Sequence, residues 1–144
     1  MNNQGYGASG ELLAIQFLKK KGYKILSTNA KFAGAELDVV ALYSVKAQKK
    51  AIKKEYKESI EKSKTALKCR LSALEDILVF VEVKYSSTRV LGEPYERVTK
   101  EKQKHIIRAS EGYMFKNRLQ MPVRFDVISV VGNEINHIEN AFYA

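Results

Sequence analysis

Apolar residues recur at helical spacing near the start of the chain: Ala8, Leu12, Ile15 and Leu18, with Leu13 and Phe17 beside them. This spacing predicts a helix from about Ser9 to Lys21, with Ser9 as its N-cap and Gly22 as its stop. Lys19, Lys20 and Lys21 suit the negative end of that helix's dipole. Tyr23 to Leu26 reads as a short strand, followed by a polar turn over Ser27, Thr28 and Asn29. Glu36 to Leu42 reads as a strand with alternating faces, and Ile77 to Tyr85 is the most strand-like run in the chain. The latter is almost continuously apolar, so it is expected to be covered on both faces and to lie centrally.

Gly92 and Pro94 punctuate the next loop, Thr99 to Phe115 has a helical face, and Arg124 to Val131 is another buried strand. Gly132-Asn133 marks a hairpin turn into Ile135–Ile138. The order predicts an α/β fold, with a mixed central sheet flanked by helices. It is interrupted by Ser44–Asp76, which has no Gly or Pro and carries ten basic and five acidic residues. There Val45, Ile52, Tyr56, Ile60, Leu67, Leu71 and Leu74 form a thin seam at helix-pair spacing. One continuous helix of about 30 residues would carry the chain about 45 Å away. If the flanking strands are neighbours it must return, so the segment is expected to be a helical hairpin turning near Ser59–Thr65. Its alternative is a long helix exchanged with a partner molecule.

A chain of 144 residues and 16.3 kDa has room for one domain with this insertion. The net charge of +9 suits a polyanionic partner. No apolar run approaches the roughly 20 residues of a membrane span, and Met1-Asn2-Asn3-Gln4 does not read as a secretory leader. Cys69 is the single cysteine, which excludes an internal disulfide and fits a reducing cytoplasm.

The candidate chemistry comes from charges inside apolar strands, where they are costly unless paired or metal-bound. Glu36 and Asp38 share a face of one strand, and Glu82 and Lys84 share a face of the central strand. Glu11, one turn before Ile15, can look toward the sheet. Asp38 and Glu82, aided by Glu36 and Glu11, offer hard oxygen donors of the kind that suit Mg²⁺ or Mn²⁺. Lys84 would then stand where it can orient a water and offset charge on phosphorus. Each piece has a plainer account: an ion pair for Glu82 and Lys84, and dipole compensation for Glu11. Lys100, Lys102, Lys104 and Arg108 recur at helical spacing with Gln103 among them, as phosphate contacts or as a solvated face. Arg89, in the polar loop past the central strand, reads as a phosphate contact or an ordinary surface arginine. Asp126 reads as the partner of Arg124. His105 and His137 read as surface or packing residues.

Several segments together resemble the YraN-like family of bacterial proteins, within the restriction-endonuclease-like PD-(D/E)xK superfamily. They are Gly10-Glu11, Gly22-Tyr23-Lys24-Ile25-Leu26 with Asn29, and Gly34-Ala35-Glu36-Leu37-Asp38-Val39-Val40-Ala41. Val79-Phe80-Val81-Glu82-Val83-Lys84, Lys102-Gln103, Arg124-Phe125-Asp126-Val127-Ile128 and Asn140-Ala141-Phe142 complete the set. The resemblance implies a restriction-endonuclease-like core, metal ligation by Asp38 and Glu82, Lys84 as the catalytic lysine and Glu11 as an additional acid. Leu37 stands where the superfamily motif has proline, and Ala35 where a glycine is often found. Kinship with archaeal Holliday-junction resolvases implies a metal-dependent endonuclease acting on branched or structured DNA, with homodimerisation by analogy. The alternative is a non-catalytic nucleic-acid-binding protein with the same fold. A further reading makes Ser44–Asp76 a pairing element for another chain.

Overall fold

The computed structural model describes residues 3–87, 96 and 98–144, with side chains described from residue 9 onward. Its elements are α1 (Asn3–Lys20), β1 (Lys24–Phe32), β2 (Ala35–Tyr43), α2 (Val45–Glu58) and α3 (Lys64–Ser72), then β3 (Ile77–Ser86), α4 (Lys100–Lys116), β4 (Val123–Val131) and β5 (Glu134–Phe142). The five strands form one sheet in the order β1-β2-β3-β4-β5. Among the described residues only β3 and β4 pair in parallel, because α4 carries the chain across between them.

The near-continuous apolar run of β3 is explained by its central place. Leu78 and Phe80 face one way, against Ile106, Ala109 and Tyr113 of α4. Val79 and Val81 face the other way, against Ala14 and Leu18 of α1. The result is a helix layer on each face of a mixed sheet, consistent with a restriction-endonuclease-like core. Among the described residues, no helix is long and apolar enough to cross a membrane.

Two local expectations are corrected. Helix α1 starts at Asn3, six residues before Ser9, which therefore lies inside the helix rather than at its cap. A serine is a start signal only where no earlier turn forms. The other end behaves as expected. Gly22 has φ +93°, and the N–H groups of Gly22 and Tyr23 return to the carbonyls of Lys19 and Leu18. Second, Ser27, Thr28 and Asn29 are not a turn but the middle of β1. An edge strand needs apolar residues on one face only, so its polar residues look like a loop in the sequence. Asn29 sits at φ 51°, just past the irregularity between Ile25 and Ser27. Gly92, Pro94 and Arg89 lie outside the described residues.

Ser44–Asp76 holds α2 and α3, capped by Ser44 and Ser63, whose hydroxyls accept from the N–H groups of Ala47 and Ala66. At the root of the pair, the Gln48 amide donates to the carbonyls of Tyr43 (2.9 Å) and Glu75 (2.6 Å). The N–H of Val45 donates to Asp76. The arm therefore leaves from the Tyr43 end of β2.

A second charged group is built into the α1 face of the sheet. Asp126 is fully buried, and its carboxylate accepts from Arg124 Nε (2.8 Å) and Nη2 (2.7 Å) and from the Asn140 N–H (2.9 Å). His137 Nε2 is 2.7 Å away, so His137 belongs to this network and not to the surface. Burial alone would raise the Asp126 carboxyl, but the hydrogen bonds from His137 and Arg124 overcome it and hold the group below the ordinary range.

Helix α1 meets β3 at one close approach. A Cβ on Gly10 would lie 2.9 Å from Tyr85 Cβ, nearer than such atoms come without movement. Gly10→Ala gains about 1 kcal/mol of helix propensity but is expected to cost about 1–3 kcal/mol in overpacking. A net fall in thermal stability by calorimetry is the expected result; a rise would mean that α1 slides freely on the sheet.

Candidate active site

Strand β2 leaves β3 at a particular residue. The ladder pairs Val40 with Phe80 and Val39 with Val81, and the next step of that register sets Asp38 opposite Glu82. Leu37 and Val40 both lie in the core on the α4 side, so β2 turns over between them, and Asp38 meets Glu82 closely enough for their carboxylates to interact where the two strands part. The Asp38 side chain takes over a backbone role there: Oδ2 accepts from the Val83 N–H at 2.8 Å.

Glu36, two residues earlier on β2, and Glu11 of α1 complete the group. Glu11, Glu36 and Asp38 each present a carboxylate oxygen within 4.8 Å of the other two. Glu82 is buried at 5% exposure. Lys84 Nζ lies 3.4 Å from its Oε1, and Lys102 Nζ of α4 lies 3.6 Å from the same oxygen. Four acids and two amines from α1, β2, β3 and α4 thus meet in one basin.

The electrostatic cost is visible at two of the acids. Burial, and then the neighbouring charge of Glu82, push the Asp38 carboxyl up to about 8, against the opposing pull of the Val83 N–H. Glu11 is also raised, chiefly by burial and then by Glu36 and Glu82, with a hydrogen bond from Asn29 working against them. With its side-chain amide turned to donate, Asn29 nitrogen is 3.1 Å from Glu11 Oε2 and 3.0 Å from Glu36 Oε1. Lys31 adds an exposed ion pair to Glu36 at 3.9 Å.

Because α1 begins at Asn3, Glu11 lies more than two turns into the helix. Dipole compensation fades beyond the first turn and does not account for it there. Gln103 donates its amide to the Val98 carbonyl at 3.1 Å. Lys104 is exposed, and Arg89 lies outside the described residues. Lys102 proves to be a partner of Glu82 rather than a residue on an open face. Asn29 was missed as a site residue because its stretch resembled a turn. Its signal was its place in the YraN-like pattern, together with the left-handed backbone that asparagine tolerates.

The donor set is all oxygen, clustered, partly desolvated and mutually repelling. Those properties fit a hard divalent cation such as Mg²⁺ or Mn²⁺, whose charge would relieve the mutual repulsion of these carboxylates. Asp38, Glu82, Glu36 and Glu11 are the residues that would hold it.

A model of the family described as "Uncharacterised protein family UPF0102" matches residues 10–130, a span that contains every member of this basin. A UPF0102 protein of Alkaliphilus oremlandii is 36% identical over 147 aligned positions, covering 97% of this chain and 99% of the relative. Relatives from Clostridioides difficile and Flavobacterium psychrophilum are each 35% identical, covering 99% and 95% of this chain and 100% and 92% of their own lengths.

Proposed function

Since this chain belongs to the UPF0102 family of uncharacterised proteins, we propose that its acidic basin is the centre of a metal-dependent endonuclease acting on structured DNA. The observation that carries this reading is the meeting of Glu11, Glu36 and Asp38 within 4.8 Å, beside a Glu82 held by Lys84. A divalent cation bound there would supply an acidified water and neutralise charge on a scissile phosphate.

The chain's own residues supply the rest. Carboxylates alone would repel a phosphodiester. Lys84 and Lys102 set two ammonium groups at the rim of the acids, where a phosphate oxygen can be drawn in. Lys84, partly exposed, orients the attacking water and offsets the charge that develops on phosphorus as the P–O bond to the sugar breaks. Asn29 spaces Glu11 from Glu36 by donating to both. Gly10 and Tyr85 seat α1 so that Glu11 reaches the basin.

The test is cleavage of a labelled four-way junction, and of a matching linear duplex, with Mg²⁺ or Mn²⁺. The wild-type chain should cut, and Glu82→Ala should not; equal cutting by both would end the reading. Lys84→Met should lower the rate at least about a hundredfold, the scale of a lost general acid–base contribution. Its metal affinity should be nearly unchanged, because it removes no oxygen donor.

A second reading keeps the fold and its DNA binding without cleavage. It is favoured by Glu82 having two lysines within 3.6 Å, which balance its charge with no metal. It predicts salt-sensitive DNA binding, no cutting, and no response to Mn²⁺.

A further inference from the structure

We propose that the lysine face of α2 is a docking surface for the phosphate backbone of a DNA duplex, separate from the acidic basin. Helix α2 carries Lys46, Lys49, Lys50, Lys53, Lys54 and Lys57. At 3.6 residues per turn these six fall within an arc of about 140°, and no other residue type enters that arc. All six are exposed. Among the described residues none makes an ion pair, although two acids lie on the same helix. Glu55 is turned away to Arg70 of α3, which grips it with two hydrogen bonds of 3.2 and 3.0 Å.

This face weakens its own helix. Lysines at i, i+3 and i, i+4 repel by about 0.2–0.5 kcal/mol per pair, and among the described residues no ion pair offsets them. A polyanion would. The opposite face is the anchored one: Ile52 and Gln48 are buried, and the Gln48 amide ties the helix to Tyr43 and Glu75. The lysines are thereby held outward on a fixed rod.

Lys46 to Lys57 spans about 16 Å at 1.5 Å per residue. Each strand of a duplex presents a phosphate about every 3.4 Å of axis, so a straight row of this length lies along several of them. A membrane surface is the poorer match, because an interfacial helix needs a broad apolar face bordering its basic one, and here Ile52 is buried and Tyr56 is turned to α3, leaving only Val45 and small alanines beside the lysines. The arm starts at the Tyr43 end of β2, about 17–20 Å along the strand from Asp38. The surface is therefore a second contact that neither covers the basin nor depends on cleavage.

The experiment uses the full chain in EDTA and a fluorescent 20-base-pair DNA duplex, with anisotropy read across a salt series. A Lys46/Lys50/Lys53/Lys57→Gln variant should bind at least tenfold more weakly, with a log–log salt slope smaller by about 3.6, near 0.9 per lost phosphate contact. A Lys49/Lys54→Gln variant should lose about half as much slope. The four-fold Lys→Arg variant should bind like wild type. Unchanged affinity and slope in both Gln variants, or no duplex binding by the wild-type chain, would overturn the proposal. So would loss of binding to phosphatidylserine vesicles with duplex binding intact. With metal chelated, failure of the nuclease reading leaves these slopes untouched, so the two ideas fail separately.

Discussion

Asp38→Asn is expected to make the metal-free protein more stable while abolishing metal binding and cleavage. Burial and the Glu82 charge raise the Asp38 carboxyl to about 8 in the folded chain, from an ordinary 3.8. Between those two values the unfolded chain has released a proton that the folded chain still holds. The slope of stability with pH is therefore negative: this group's contribution is intact below about pH 4, declines as pH rises, and levels off above about 8. Asparagine never ionises, and its oxygen can still accept from the Val83 N–H. At pH 7–8 the variant should gain about 1–3 kcal/mol, a conservative fraction of what 1.36 kcal/mol per unit allows. The fall in melting temperature expected for the wild-type chain between pH 4 and pH 8 should be smaller in the variant, with the raised Glu11 supplying what remains. Added Mn²⁺ should stabilise the wild-type chain by about 2.7 kcal/mol at a hundredfold excess over its dissociation constant, and should leave the variant unmoved. A purely structural Asp38 would give the opposite sign, with the asparagine variant less stable at every pH.

Asp126→Ala should be the most damaging single change to the fold. It would take the buried partner from Arg124, whose side chain is 13% exposed, and from His137 at 3%, leaving Arg124 the more exposed Glu139 at 3.6 Å, and would free the Asn140 N–H. Breaking a buried ion pair by removing one partner costs about 3–5 kcal/mol, a loss of about 10–15 °C in melting temperature for a chain of this size. Arg124 also donates to Tyr23 at 2.6 Å, so β1, β4 and β5 loosen together. Because the folded Asp126 carboxyl lies below its ordinary value, its contribution is present above about pH 4 and lost as pH falls further. Acid unfolding should therefore begin at higher pH in an Arg124→Met variant. Val81 and Asp126 are register partners, and Asp126 lies on the α1 face while Glu82 lies on the α4 face. Residual metal binding in whatever fraction of the variant stays folded should therefore be normal.

The strands were legible where burial is two-sided. Ile77–Tyr85 and Arg124–Val131 are apolar almost throughout because each is covered by α1 and α4. β1 was half legible, since an edge strand spends its outer positions on polar residues that imitate a turn. Asp38 and Glu82 could be picked out because charge inside an apolar strand is costly and needs a reason. Glu11 could not be weighed correctly, since a misplaced helix start offered the dipole as an easy explanation. Lys102 looked like one of a row, and only the packing of α4 brings it to Glu82. His137 had no neighbour in sequence to mark it. Its partner lies eleven residues back, on the adjacent strand.

Periodicity, charge and the two acidic strand motifs are local properties, and they are enough to define the α/β order, the basic helical arm and the residues worth suspecting. What only the folded chain decides is convergence. Glu11, Asp38 and Glu82 are 27 and 44 residues apart along the backbone, and their meeting depends on where β2 stops pairing with β3 and how closely α1 approaches Tyr85. Those are matters of register and close packing, summed over many weak contacts between distant segments, and no short stretch of sequence contains them.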